Sequence, residues 1–544
     1  MAQLGKYQKR HSQTHFLGQQ NRVVGLRRLL PDTDHSKPTK SAEVSLIPVC
    51  KRIKSKLCLA MAIPIETFFL IPDAQGTLQA RIQQMIAEGI LSGRFRRGEK
   101  LPSTRKLALH LGVSRITVTL AYTELQANDY LSSKGRSGYY VSQNAPEPPS
   151  VPPNRPRSDG VDWSRAIGQK FTGGATPKKP QDWAQFKYPF VYGQADPTVF
   201  DHANWRICAL QALGQKNFTA LTTDYYDQDD PQLVEFIARH TLPRRGIIAR
   251  PEEILVTLGA QNALWLTAQV LLTQRRKAAI ENPCYHALRD ILTQSRCHLA
   301  AIDVDEHGLP PDAIPDDVDV IFTTPSHQCP TTATMPIERR MALLKRARAQ
   351  DALIVEDDYE FEMSFLSAPS PALKSLDPDG RVIYVGSFSK SLFPGLRLGY
   401  LVGSEPFIRE ARALRASVLR HPPGHIQRTA AYFLSLGHYD ALIRKMSRVL
   451  SERRQVMDDA IKSSGLAVAG RAYFGGSSFW MRAPDDVDSR QLAAELATHG
   501  VLIEPGHSFF EQASPPKQFY RLAYSSIRAE RIADGVAKIA SVLS

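Results

Sequence analysis

The chain is short of the features that would tie it to a membrane or an oxidising compartment. Its six cysteines, Cys50, Cys58, Cys208, Cys284, Cys297 and Cys329, are scattered, and none falls in a C-x-x-C pair. Neither a disulfide framework nor a zinc site is indicated, and a reducing cytoplasm fits. Long apolar runs are missing: the best candidate, Leu57 to Pro72, is broken by Pro64, Glu66 and Thr67, short of the roughly 20 residues a membrane helix needs. No internal repeat is visible. Acids are scarce at the N-terminus, where residues 1–60 hold 3 Asp+Glu against 12 Lys+Arg and so carry +9 of the net +14. The overall basicity is mostly a property of that head and is no evidence by itself of a DNA-binding surface.

The chain has 544 residues, enough for two or three domains. Residues 1–60 show no sustained period. A transit peptide, a disordered arm or an upstream, mistaken start codon would each look like this. Met61 begins a stretch that reads well as a protein start, which favours the last. A DNA-contacting arm is the remaining alternative.

Helical periodicity begins at Leu78, with Leu78, Ile82, Met85, Ile86 and Ile90 on one face and Gly93 closing the helix. Pro102-Ser103 opens a second helix, which buries Leu107, Ala108 and Leu111 and exits at Gly112. Ser114 caps a third, with Ile116, Val118, Ala121, Tyr122 and Leu125 expected inward. Tyr130-Leu131 and Tyr139-Tyr140-Val141 flank a Ser-Lys-Gly-Arg-Ser-Gly tip, which reads as a two-stranded wing. Two helices joined at a glycine turn, followed by a wing, put the third helix in a DNA major groove. Ser114, Arg115, Thr117 and Thr119 on that helix would reach base edges or phosphates. Arg105, Lys106, Lys134 and Arg136 would meet phosphates. A solvated basic face on an ordinary helical bundle is the competing reading.

Six prolines between Pro146 and Pro156 mark a semi-extended linker, taken as residues 143–184. Beyond it, over 185–544, short apolar runs (Ile254–Val256, Val318–Phe322, Leu353–Val355, Val382–Val385) alternate with helical stretches. That alternation predicts an α/β domain with a mostly parallel sheet. Residues 440–544 suggest a smaller C-terminal α+β subdomain.

Four strand ends in this region carry chemistry. Val382–Val385 runs into GSFSKSLFPGLRLGY. Lys390 there is placed to form an imine with an aldehyde. Ser387, Ser389 and Arg397 are suited to a phosphate. ALIVEDDYE ends a strand on Asp357, a carboxylate suited to a ring nitrogen, with Tyr359 close behind. In ILVTLGAQNAL, Gly259 turns the chain into a helix whose Ala260 and Gln261 amides would face an anion. In ENPCY, Tyr285 is able to stack on a flat ring. Each string alone also fits an ordinary capped strand end or a packed tyrosine.

The string ILSGRFRRGEKLPSTRKLALHLGVSRITVTLAYTELQANDYLSSKGRSGYYV resembles the GntR-type winged helix over roughly 65 residues, 73–142 being its expected extent. Lys106 stands where that family commonly has a Glu completing a capping box, so the second helix is expected to be slightly less well capped. The four strand-end strings, in this order, resemble fold-type-I aminotransferases. The fusion of both resembles the MocR/GabR family of regulators.

The resemblance implies pyridoxal 5'-phosphate as cofactor, with Lys390 as the internal aldimine lysine. Asp357 falls at the pyridine nitrogen, Tyr359 at the phenolic oxygen and Tyr285 against the ring. Arg397, Ser387, Ser389 and the Ala260–Gln261 amides fall at the phosphate, and Arg521 where aminotransferases hold a substrate α-carboxylate. It also implies a homodimer on double-stranded operator DNA. An amino-compound effector would displace the lysine as an external aldimine. A working aminotransferase carrying a DNA-binding head is the alternative, and a cofactor-free DNA-binding module a third reading.

Three departures stand out. Cys329-Pro330-Thr331-Thr332 replaces the usual Asn-Pro-Thr-Gly, leaving His327 or Gln328 to take over the asparagine's hydrogen bond. Asp230-Pro231 stands where relatives have a Gly-containing turn. Ala287 replaces the arginine expected of a γ-aminobutyrate sensor.

Overall fold

Three hydroxyl caps start the three helices of the N-terminal unit. In the computed structural model, which describes residues 62–70, 76–146, 160–172, 180–368, 370–470 and 475–544, helix α1 spans Leu78–Leu91 and its Thr77 hydroxyl accepts from the Ala80 N–H at 3.2 Å. Helix α2 is Thr104–Leu111, capped by Ser103 on the Lys106 N–H at 3.3 Å and ended by Gly112 at φ 65°. Helix α3 is Arg115–Ala127, capped by Ser114 on the Thr117 N–H at 3.1 Å. Strands β1 (Leu131–Ser133) and β2 (Tyr139–Val141) pair antiparallel, Leu131 opposite Val141, and form the wing.

Ile82, Ile86, Leu107, Val118, Ala121 and Tyr122 are completely buried together. Each large apolar side chain removed from water this way contributes about 1.5–3 kcal/mol. Ile116 departs from expectation: it is 73% exposed. Val118, Ala121, Tyr122 and Leu125 keep the helical spacing of one face, and Ile116, two residues before Val118, points away from it. Leu78 likewise stays 45% exposed at the first turn of α1. Residues ahead of the expected domain start join this core. Ile63 and Phe68 are buried in it, Phe68 stacks on Phe95 at 5.1 Å, and the Ile63 N–H donates to the Lys100 carbonyl at 2.9 Å.

The chain divides into two units between Val161 and Asp162. The expected extension 1–60 and most of the proline run lie outside the described residues. In the second unit, β3 (Tyr188–Pro189) pairs parallel with a later strand. The main sheet is built from β4 (Ile254–Thr257), β5 (Lys277–Asn282), β6 (His298–Asp303), β7 (Val320–Thr323), β8 (Leu353–Asp357), β9 (Val382–Ser387) and β10 (Gly399–Val402). Their order is β4-β10-β9-β8-β7-β5-β6. β10 is antiparallel to both neighbours, so the other six strands share one direction and end at one edge.

Strands β4, β7, β9 and β10 are buried on both faces, while the edge strand β6 is largely open. Leu255, Ile383, Val385 and Leu401 pack with the helix Ala260–Leu271. Their neighbours Val256, Tyr384, Tyr400 and Val402 pack on the opposite face, as side-chain alternation requires. A smaller antiparallel sheet follows, from β11 (Ala467–Val468), β12 (Ser478–Arg482), β14 (Glu504–Pro505) and β15 (Phe519–Ala523), while β13 (Val501–Leu502) is the partner of β3.

Candidate functional site

The common edge of the six aligned strands is where α/β sheets take ligands. There β8 ends on Asp357, β9 ends on Ser387 and turns through Ser389 and Lys390, β5 leads to Tyr285, and β4 leads through Gly259 into the helix Ala260–Leu271. A cavity of about 300 Å³ opens at this edge. It is lined by Lys390, Asp357, Tyr359, Tyr285, Ala260, Gln261, Ser387, Ser389, Arg397 and Arg521. All the expected cofactor residues and the expected effector residue are thus on one wall system, although they come from segments spread over more than 250 positions of the chain.

The electrostatics of this cavity are unfinished in a particular way. Asp357 is buried and its Oδ1 has no hydrogen-bond partner. Burial, with the Asp358 and Glu281 carboxylates nearby, pushes its pKa up to about 7, against the opposing pull of Lys390. A buried carboxylate oxygen without a hydrogen-bond partner suits the protonated nitrogen of a pyridine ring. Gly259 at φ 80° and ψ 174° starts the helix, and the Arg397 guanidinium lies against it, its Nη2 donating to the Leu258 carbonyl at 3.1 Å. Arg397 itself holds a left-handed φ of 53°. The buried Ser389 Oγ is also without a partner. Helix N–H groups, a guanidinium and serine hydroxyls together make an anion cradle. Burial pushes the Tyr285 hydroxyl up to about 12 and Tyr359 well above its ordinary value, so both stay protonated as donors.

Several lining residues carried no signal in the sequence. Tyr192 sits between two cations, with Lys390 Nζ 3.9 Å and the Arg521 guanidinium carbon 3.6 Å from its ring centroid. Its hydroxyl donates to Glu360 Oε1 at 2.7 Å. Ser477 Oγ donates to the same oxygen at 2.7 Å, and His327 Nε2 lies 3.3 Å from Glu360 Oε2. Glu504 also lines the cavity, against Arg521. His286 lines it too and, held down to about 4 by burial, is neutral at pH 7.

The expected stand-ins for the missing asparagine are engaged elsewhere. His327 faces Glu360, and the Gln328 amide donates to Glu281 Oε2 at 3.1 Å and to the Pro283 carbonyl at 2.8 Å. The residue that reaches the cavity is Cys329, whose thiol burial pushes up to about 12. Ala287 is buried and is not among the lining residues. Asp230 caps the helix Pro231–Phe236, accepting from the Gln232 and Leu233 N–H groups.

In the N-terminal unit, Arg105, Lys106, Ser114, Arg115 and Thr119 are exposed and Thr117 is half-buried. The hydroxyls of this group also serve the fold: Ser114 Oγ and Thr117 Oγ1 are 2.8 Å apart, and Thr119 Oγ1 donates to the Arg115 carbonyl at 2.9 Å. Lys134 Nζ lies 4.9 Å from the Tyr140 ring centroid in the wing. Arg136 is in the wing turn, and its side chain lies outside the described residues.

A winged helix-turn-helix and a fold-type-I transferase domain define this protein as a two-part regulator. The aminotransferase class I and II family matches residues 199–539, and the gntR family of bacterial regulatory proteins matches residues 78–141. The HTH-type transcriptional regulator TauR of Rhodobacter capsulatus is 58% identical over 483 residues, 89% of this chain and 100% of the relative. The probable rhizopine catabolism regulatory protein MocR of Rhizobium meliloti is 28% identical over 486 residues, 86% and 94% of the two chains. Among solved structures, the α-aminoadipate aminotransferase LysN of Thermus thermophilus, complexed with N-(5'-phosphopyridoxyl)-L-leucine, superposes with a TM-score of 0.64 at 26% identity, over 70% of this chain and 98% of its own. The chain belongs to the MocR/GabR-type transcription regulators, in which a GntR-type winged helix is fused to an aminotransferase-like domain. Among the described residues no helix is long and apolar enough to cross a membrane.

Proposed function

We propose that this regulator senses an amino compound in its aminotransferase-like domain and transmits the binding to its DNA-reading head. The cofactor is pyridoxal 5'-phosphate. When bound, it supplies an aldehyde for which Lys390 and an incoming primary amine compete. Asp357 would face the ring nitrogen, Tyr359 would donate to the ring oxygen, and Tyr285 would pack on the ring. Arg397, Ser387, Ser389 and the Ala260 and Gln261 amides would hold the phosphate, and Arg521 would take part in binding the effector. The observation that carries this reading is the convergence of Lys390, the partnerless Asp357 Oδ1 and the Arg397–Gly259 cradle on one cavity.

The head, about 73–142 with residues 62–70 packed into it, reads double-stranded operator DNA through Ser114, Arg115, Thr117 and Thr119. Arg105, Lys106, Lys134 and Arg136 hold phosphates. Residues 143–184 tether it to the sensor, 185–544. The active form is a homodimer in the cytoplasm, associated with the nucleoid when bound. Two heads then require two half-sites. An effector shifts DNA binding only if it discriminates between arrangements of sensor and head.

The test is the visible absorption spectrum of the purified protein beside Lys390→Ala, followed by operator binding with and without amines. A band that the mutant lacks, and that amines shift together with DNA affinity, supports the reading. No band after added cofactor would overturn it. The lining residues also suit a working aminotransferase; steady-state transamination with a keto acid decides between sensing and turnover.

A further inference from the structure

Part of the cavity wall is set by strand register. β14 runs antiparallel to β15 with Glu504 directly opposite Arg521. Side chains of such a pair emerge on the same face within reach of each other. Here Arg521 Nε donates to Glu504 Oε2 at 2.8 Å, and Nη2 lies 2.6 Å from the same oxygen. Both side chains are nearly buried, 5% and 11% exposed. The guanidinium is also held from its faces, its carbon 3.6 Å from the Tyr192 ring centroid and 4.8 Å from that of Phe509. The Nε–Nη2 edge, which would receive two oxygens of a carboxylate side-on, is therefore already taken.

A carboxylate arriving at Arg521 must displace Glu504 into low-dielectric surroundings or sit beside it as a second anion, and both are unfavourable. We propose that Glu504 is a specificity-determining residue that closes this edge of Arg521 to α-amino acids and selects primary amines with no carboxylate on the amine-bearing carbon. The proposal rests on the reading of the domain as an amine sensor.

The test compares two probes that differ by one carboxylate, ethylamine and L-alanine, titrated into the full-length, cofactor-loaded protein while its visible band is followed. Wild type responds to ethylamine at a concentration at least about tenfold lower, the lower end of what one charge-assisted hydrogen bond is worth. In Glu504→Gln the alanine response improves about tenfold, while the ethylamine response stays within about threefold. Glu504→Asp, with its carboxylate drawn back by one methylene, moves the ratio the same way by less, and carries the test should Glu504→Gln lose the band. A wild type that prefers alanine, or variants that move both probes by one factor, would show Glu504 to be a structural counter-ion and overturn the proposal alone. A band that Lys390→Ala abolishes but neither probe shifts overturns the sensor reading and this proposal with it.

Discussion

A Cβ added to Gly259 would lie 3.3 Å from Nη2 of Arg397, two residues that stand 138 positions apart in the chain. Gly259 at φ 80° and ψ 174° occupies a region open almost only to glycine. Gly259→Ala is therefore expected to strain the start of its helix and push Arg397 from the proposed phosphate cradle. The protein should fold but hold pyridoxal phosphate at least about fivefold more weakly, one such strained residue costing about 1–3 kcal/mol. Cofactor retained after dialysis, read from the visible band, measures it. Unchanged retention would remove this edge from the phosphate site.

The raised Asp357 predicts a pH dependence of the cofactor-free protein. Its pKa of about 7 in the fold exceeds the ordinary 3.8. Between those values the folded protein keeps a proton the unfolded chain has released, so stability falls as pH rises through the window and falls no further above it. Asn cannot ionise. Asp357→Asn should flatten that decline by up to about 1.4 kcal/mol per pH unit. Glu362, also pushed up to about 7 by burial, leaves a residual slope in the same direction. Urea unfolding of both proteins at pH 5 and pH 8 checks this. Equal slopes would mean Asp357 already has a partner.

Much of this arrangement is legible from residues. Strand runs ending on Asp357 and Ser387, and the Gly259 turn, place themselves at one sheet edge once the sheet is parallel. Glu504 and Tyr192 are not legible that way. Glu504 lies on a two-residue strand with no periodicity to read, and its importance comes from its cross-strand register with Arg521. Tyr192 follows β3, whose pairing with β13 spans more than 300 residues. Ile116 misleads because an apolar residue beside a buried stripe reads as part of it, and only the spacing of Val118, Ala121, Tyr122 and Leu125 separates them.

The exposed Ile116 has a consequence for the DNA-reading helix. Arg115 and Ile116 share the outward side of its first turn, where an arginine suits guanine and an apolar side chain suits a thymine methyl. Arg115→Ala and Ile116→Ala should each leave stability within about 0.5 kcal/mol. The completely buried Leu107, mutated to Ala, should cost about 2–5 kcal/mol. Operator binding should weaken by about 1–3 kcal/mol for Arg115→Ala, with a smaller loss for Ile116→Ala confined to sites containing thymine at one position. Thermal unfolding and a panel of operator variants measure both. Destabilisation by Ile116→Ala would place that side chain in the core after all.

Thr332 occupies the position where aminotransferases usually carry glycine, and it holds a left-handed φ of 66°. A β-branched residue is a genuine outlier there, because its branched Cβ crowds the backbone. The turn is kept by neighbouring contacts: the Thr332 N–H donates to the Gln328 carbonyl at 2.7 Å, and Gln328 is tied in turn to Glu281 and Pro283. Relief of the strain should outweigh the extra freedom glycine gives the unfolded chain. Thr332→Gly is thus expected to stabilise the protein by about 1 kcal/mol, seen as a higher urea midpoint with an unchanged slope. Because Cys329 sits three residues before it on the cavity wall, the visible band should keep its position. A lower midpoint would mean that contacts of the threonine side chain, rather than its neighbours, hold the turn.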